Sequence, residues 1–91
     1  MQYRIVQAPT VAETLAERGE QYGPFGPKAA FIQRVKDQLR GSPAWATMSG
    51  GQKEALEMIV HKIGRIAYGN PKHSDSWHDI AGYARLGEEE C

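Results

Sequence analysis

The sequence predicts an all-α domain: a compact bundle of about four helices with one long helix at its centre. Three observations predict it. Apolar residues recur at spacings of three and four, helix-start and helix-stop residues bracket each periodic segment, and no period-two run exceeds Tyr3-Arg4-Ile5-Val6. Ninety-one residues suit a single helical domain spanning 1–91, with 1–9 and 87–91 expected to be flexible. No internal repeat or low-complexity linker divides it. A core this small makes a homo-oligomer the expected state.

The elements follow in chain order. Thr10 and Glu13 have the S/T-x-x-E spacing of a capping box, so a first helix is expected from about Val11 to Arg18, stopped by Gly19. A Gly-Pro-rich turn comes next, with Pro27 suited to a first helical turn. Ala30, Phe31, Val35 and Leu39 then sit at helical spacing up to Gly41. "SPAWATMS" predicts a loop or a single turn that folds Trp45 and Met48 onto the core. The central helix should run from about Gly51 to Tyr68, with Leu56, Ile59, Val60, Ile63 and Ala67 as its buried stripe and Gly69-Asn70-Pro71 as its stop. A fourth helix is expected to start at a Ser76–Asp79 capping box and to bury Trp77, Ile80, Ala81 and Ala84.

Composition removes several function classes. Eleven basic and eleven acidic residues leave no net charge, and no long block of one sign argues for a duplex nucleic acid or a membrane surface. One cysteine, Cys91, cannot close an internal disulfide, which points to a reducing cytoplasm. The N-terminal stretch lacks the pattern of a signal peptide, and no apolar run approaches the roughly 18 residues that span a bilayer. "SGGQ" at 49–52 has the letters of an ABC-ATPase signature, but no GxxxxGK[ST] phosphate loop accompanies it. Ser49 as the N-cap of the central helix explains it better.

The polar side of the central helix is where chemistry is expected. Glu57, His61 and Arg65 follow one another at four-residue spacing, with Glu54 a turn before and Lys62 alongside. The fourth helix adds Asp75 and Asp79, four apart. If the two helices pair antiparallel across "GNPKHS", Lys62 and Arg65 face Asp75 and Asp79. Two outcomes are open. The acids neutralise the bases in a salt-bridge network, or Glu54, Glu57, Asp75 and Asp79 converge on a magnesium ion while Lys62 and Arg65 hold phosphate oxygens. His61 reads as a partner for Glu57 or a proton carrier, without the spacing of a zinc site. In the turn "ERGEQYGPFG", Tyr22 and Phe25 either display a ring for stacking on a base or fill the small core.

Together, "ERGEQYGPF", "EALEMIVHKIGRI" and "DSWHDIAGYA" resemble a family of small phage-encoded proteins of unassigned function. More distantly they are similar to phage nucleotide-modification-associated domains and the small nucleotide kinase of podophages. The resemblance covers about Glu17 to Ala84. It points to Tyr22 and Gly23, to Glu57, His61, Lys62 and Arg65, and to Asp75, Trp77, Asp79 and Tyr83, among which Tyr22, His61, Lys62, Arg65, Trp77 and Tyr83 are expected to bind the nucleotide. Glu54 and Glu57 also match the E-x-x-E half of MazG-type pyrophosphohydrolases, whose second acidic pair is spaced three apart where Asp75 and Asp79 are spaced four. The expectation is a phage or prophage protein that binds a (deoxy)nucleotide, in nucleotide metabolism. The alternative is a non-catalytic accessory or anti-defence protein that binds a host protein or sequesters a signalling nucleotide.

Overall fold

The computed structural model describes residues 8–91, so the Tyr3–Val6 run and most of the 1–9 segment lie outside the described residues. The described residues contain four α-helices, a short 3-10 turn and no strand: α1 (Val11–Tyr22), α2 (Phe25–Arg40), the turn Trp45–Thr47, α3 (Gly50–Tyr68) and α4 (Ser74–Glu89). The all-α expectation with a long central helix therefore holds. α3 is the hub: α4 packs along it most extensively, α2 next, and α1 least. Among the described residues no helix is long and apolar enough to cross a membrane.

α1 starts as expected, with the Thr10 hydroxyl accepting from the Glu13 N–H at 3.1 Å and donating to its carboxylate at 2.9 Å. It does not stop at Gly19. An exposed helical glycine costs about 1 kcal/mol relative to alanine, too little to end a helix by itself. The stop is Gly23, whose φ of +83° favours glycine and where a Cβ would collide with the Tyr68 carbonyl. Gly69 presses equally closely on the backbone of Gln21 and Tyr22, and the Asn70 N–H donates to the Gln21 carbonyl at 2.8 Å. The end of α1 is thus seated on the end of α3, although α1 itself buries no residue.

α2 begins at Phe25, with Pro27 in its first turn where a missing N–H costs nothing. Its buried residues are Ile32 and Lys28, and Ala30 faces solvent. Ile32 rests directly on Gly64 of α3: a Cβ at Gly64 would overlap its Cγ1 and Cδ1. Phe31 supports this seam from the side, its ring 5.3 Å from that of Tyr68.

α3 carries a complete capping box, Ser49 accepting from the Gln52 N–H at 3.1 Å and the Gln52 side chain accepting from the Ser49 N–H at 3.0 Å. That accounts for "SGGQ" locally. α4 pairs antiparallel with α3, as the short connection requires. It starts at Ser74, so Ser76 is no cap; it is 3% exposed and lies within the helix. Ala55 and Gly87 meet across the same seam, which is therefore built from small side chains. α4 also runs on to Glu89, through part of the 87–91 tail expected to be flexible.

The apolar stripes are the main correction. Of the residues expected to be buried on α3 and α4, only Val60 is; Ile63, Ala67, Trp77, Ala81 and Ala84 are exposed. Among the described residues the buried apolar ones are Ile32, Ala55 and Val60, and no large side chain is fully enclosed. The bundle is open.

Gly64→Ala should lower the thermal midpoint. Overpacking costs about 1 to 3 kcal/mol against a helix-propensity gain of at most about 1 kcal/mol. A thermal melt of the variant that matched or exceeded the parent would show that Ile32 does not depend on this glycine.

Candidate functional site

A cleft of about 560 Å³ opens between α1, α2 and α3. α1 contributes Leu15, Arg18 and Tyr22, α2 contributes Lys28 and Lys36, and α3 contributes His61 and Arg65. Its placement follows from the two joints already described. Lys28 and Lys36 stand one turn before and one turn after Ile32, while His61 and Arg65 flank Gly64, so the Ile32–Gly64 contact gathers all four. The Gly23–Gly69 joint then carries Tyr22 over Arg65.

The charged side chains of the otherwise largely apolar cleft are all basic. Four permanent cations and one histidine line it, and no aspartate or glutamate does. Lys28 is 9% exposed with no acidic partner within 4.0 Å among the described residues. Burial, and then the neighbouring Arg65 charge, hold its pKa below the ordinary lysine value. The Arg65 guanidinium lies 4.1 Å from the centre of the Tyr22 ring, and its Nε is buried without a hydrogen-bond partner. Burial lowers the His61 pKa most, followed by the charges of Arg65, Lys62, Lys36 and Lys28. The basic wall disfavours protonation of its own imidazole and holds one buried donor, Arg65 Nε, without a partner.

Three of the six residues expected to hold a nucleotide, Tyr22, His61 and Arg65, meet in this cleft. The other three lie elsewhere. Lys62 is buried at the α3–α4 seam and donates to Asp79 at 2.9 Å. That contact, by hydrogen bond first, lowers the Asp79 pKa. Trp77 donates from Nε1 to the Pro71 carbonyl at 2.9 Å, and Tyr83 lines recesses on the far side of α3. Tyr22 is only partly displayed, with one face on Arg65 and His73 packed edge-on at 5.6 Å; the ring that stands free is Phe25, 79% exposed. Sequence reasoning missed Arg18, Lys28 and Lys36. The available signal was spacing: Arg18 to Tyr22 and His61 to Arg65 are each four apart, and Lys28 to Lys36 two turns apart.

The four carboxylates expected to hold magnesium do not come together. Glu57 pairs with Arg40 and with Lys36, Asp75 lies 3.4 Å from His73, and Asp79 is bound to Lys62. Glu54 lines a recess near Gly51 and Leu86. The antiparallel register is the reason. Because Lys62 meets Asp79 and Ala55 meets Gly87, the start of α3 lies against the end of α4, about two helical turns from Asp79. Among the described residues no group of three or more metal-binding side chains forms, so these residues do not fit the ion.

Residues 9–90 match the sequence model of a family described as a domain of unknown function, DUF6378, and the chain belongs to that family. No curated protein and no solved structure matches it.

The lowered His61 pKa sets a pH dependence. With the folded value below the unfolded one of about 6.5, the unfolded chain takes up more protons, so stability is lost as pH falls below that range. Between pH 8 and 5, His61→Gln should therefore lose less thermal stability than the parent, and sulfate should narrow the difference. Parallel pH profiles with and without sulfate would sink this assignment.

Proposed function

We propose that this DUF6378 domain binds a nucleotide or deoxynucleotide by its phosphates in the α1–α2–α3 cleft. The observation that carries the proposal is the pair Lys28 and Arg65: one a lysine 9% exposed as a residue and without a carboxylate partner among the described residues, the other a guanidinium with an unmatched Nε, both lining a cleft to which the described residues bring no acid. Phosphate oxygens supply the missing acceptors, with Arg65 offering a planar fork and Lys28 and Lys36 offering point charges. The volume lies within the roughly 300 to 1,000 Å³ of small-molecule sites. Phe25, free at the mouth, is the ring available to a base, and Tyr22 instead holds Arg65 in position. A phage or prophage setting, and a place in nucleotide metabolism, rest on the resemblance of the Glu17–Ala84 motifs.

One observation favours a second form of this reading, sequestration of a signalling nucleotide without turnover. The cleft wall carries no carboxylate to hold a metal ion or to activate water, and His61 is its only neutral base.

A thermal-shift series tests the proposal with inorganic tripolyphosphate, deoxynucleoside mono-, di- and triphosphates and cyclic nucleotides, each with and without magnesium. A ligand at about 100 times its Kd adds about 2.7 kcal/mol. In a domain of this size, that moves the midpoint by roughly 10 °C or more. Lys28→Ala and Arg65→Ala should abolish the shift, and Asp79→Asn should leave it intact. A magnesium-dependent shift lost in Asp79→Asn but kept in Lys28→Ala would move the site to the α3–α4 seam. A flat screen would favour the accessory protein that binds a host protein.

A further inference from the structure

The second functional surface lies on the other side of α3. At 3.6 residues per turn, Leu56, Ile59 and Ile63 fall on the side of that helix away from His61 and Arg65. A groove of about 330 Å³ runs there between the 3-10 turn, α3 and α4. Met48, Ala55, Leu56, Ile59 and Ala84 supply its apolar lining, and the only polar side chains in it are Gln52 and Tyr83. The stripe continues along both helices, through Ile63 on α3 and through Ile80 and Trp77 on α4. Ile63 is 39% exposed and Trp77 56%. The Trp77 ring is tethered by its bond to the Pro71 carbonyl, so a large aromatic surface is held in place facing outward.

We infer that this face is covered by the same face of a second copy of the chain, making a two-fold dimer. The α3–α4 seam is closed by Ala55, Ser76 and Gly87, while Leu56, Ile59 and Ile63 of α3 and Trp77 and Ile80 of α4 share one open surface, with Leu86 on the other side of α4. Among the described residues only three apolar residues are buried, a small core for a chain of this length. A cover that completes a core has to be present whenever the chain is folded, and the partner always supplied in equal amount is another copy. The geometry suits it, since two antiparallel hairpins stacked face to face about a two-fold axis form a four-helix arrangement. The area suits it too. α3 has 19 residues and so is about 28 Å long, and two helices side by side are about 20 Å wide. That gives roughly 560 Å² of footprint per copy, or about 1,100 Å² in all, just above the approximately 1,000 Å² expected of a specific interface.

Sedimentation velocity from about 1 to 200 µM tests the inference, read beside thermal midpoints over the same range. The expected result is a species near twice the 10.1 kDa chain mass and a midpoint that rises with concentration. Ile63→Glu should weaken association at least about 100-fold, because it places a charge in the centre of an apolar contact. Leu86→Glu should still dimerise, since Leu86 lies about 200° round α4 from Ala84. If Ile63→Glu does not fold, Trp77→Glu at the edge of the face takes its place. A parent chain that sediments as a monomer with a concentration-independent midpoint would overturn the dimer, and a dimer that persists in Ile63→Glu or Trp77→Glu would overturn this face.

Discussion

The contact of Ile32 with Gly64 is the constraint on which the cleft depends. A residue without a side chain on α3 lets a branched side chain from α2 reach the helix backbone, and the two helices close to a distance that an alanine would forbid. Everything one turn to either side is then forced into a narrow space. Those neighbours are Lys28 and Lys36 on one helix and His61 and Arg65 on the other, four groups that at ordinary helix spacing could each turn to water. Close approach converts a set of surface cations into a cleft with a buried lysine.

Charge is segregated in a chain whose total is zero. The acids are spent in particular places: Asp79 on Lys62, Glu57 on Arg40 and Lys36, Asp75 on His73, Glu88 and Glu89 on Arg85. Of the Lys and Arg side chains left without an acidic neighbour among the described residues, Arg18, Lys28 and Arg65 line the cleft, while Arg34, Lys53 and Lys72 lie elsewhere. Desolvating an ammonium without a partner works against folding, and the depressed Lys28 and His61 pKa values record that opposition. Arg65 is better accommodated, because the Tyr22 face supplies an attraction that costs little desolvation. An anion in the cleft, as proposed, would offset that cost.

Local signals in the sequence carried most of the helices and part of the site. Thr10 and Ser49 cap where their spacing says they should, and "GNPKHS" is short enough to force α3 and α4 antiparallel, which is why Lys62 and Asp79 meet. The same antiparallel rule already forbids Glu54, at the start of α3, from meeting Asp75, at the start of α4. Register, and not chemistry, is therefore what keeps the four carboxylates apart. Gly19 and Gly23 could not be ranked locally, because what makes Gly23 the stop is the Tyr68 carbonyl, 45 residues away in the chain. Ser76 looked like a cap because its burial against α3 is a tertiary fact. Lys28 was hidden for a related reason: a lysine beside a proline in a Gly-Pro turn gives no hint that Ile32, one turn on, will pull it under.

Periodicity found the apolar stripes correctly and assigned them the wrong partner. A stripe at spacings of three and four states that a helix side avoids water; it does not say which neighbour covers it. In this chain the seams use small residues, Gly64 against Ile32 and Ala55 against Gly87, so the helices sit side by side with α3 between its two larger neighbours. A layer of helices has two faces, and small seams leave both of them supplied with large side chains. On one face those side chains are cations of which only Lys36 has an acidic neighbour among the described residues, and on the other they are Leu56, Ile59, Ile63 and Trp77, which the chain does not fully bury. A closed bundle of the same length would have had to drive Lys28 and Arg65 into its interior or replace them. Leaving the layer open keeps the cations at a cleft that solvent reaches, and it transfers the work of completing the core to whatever meets the opposite face.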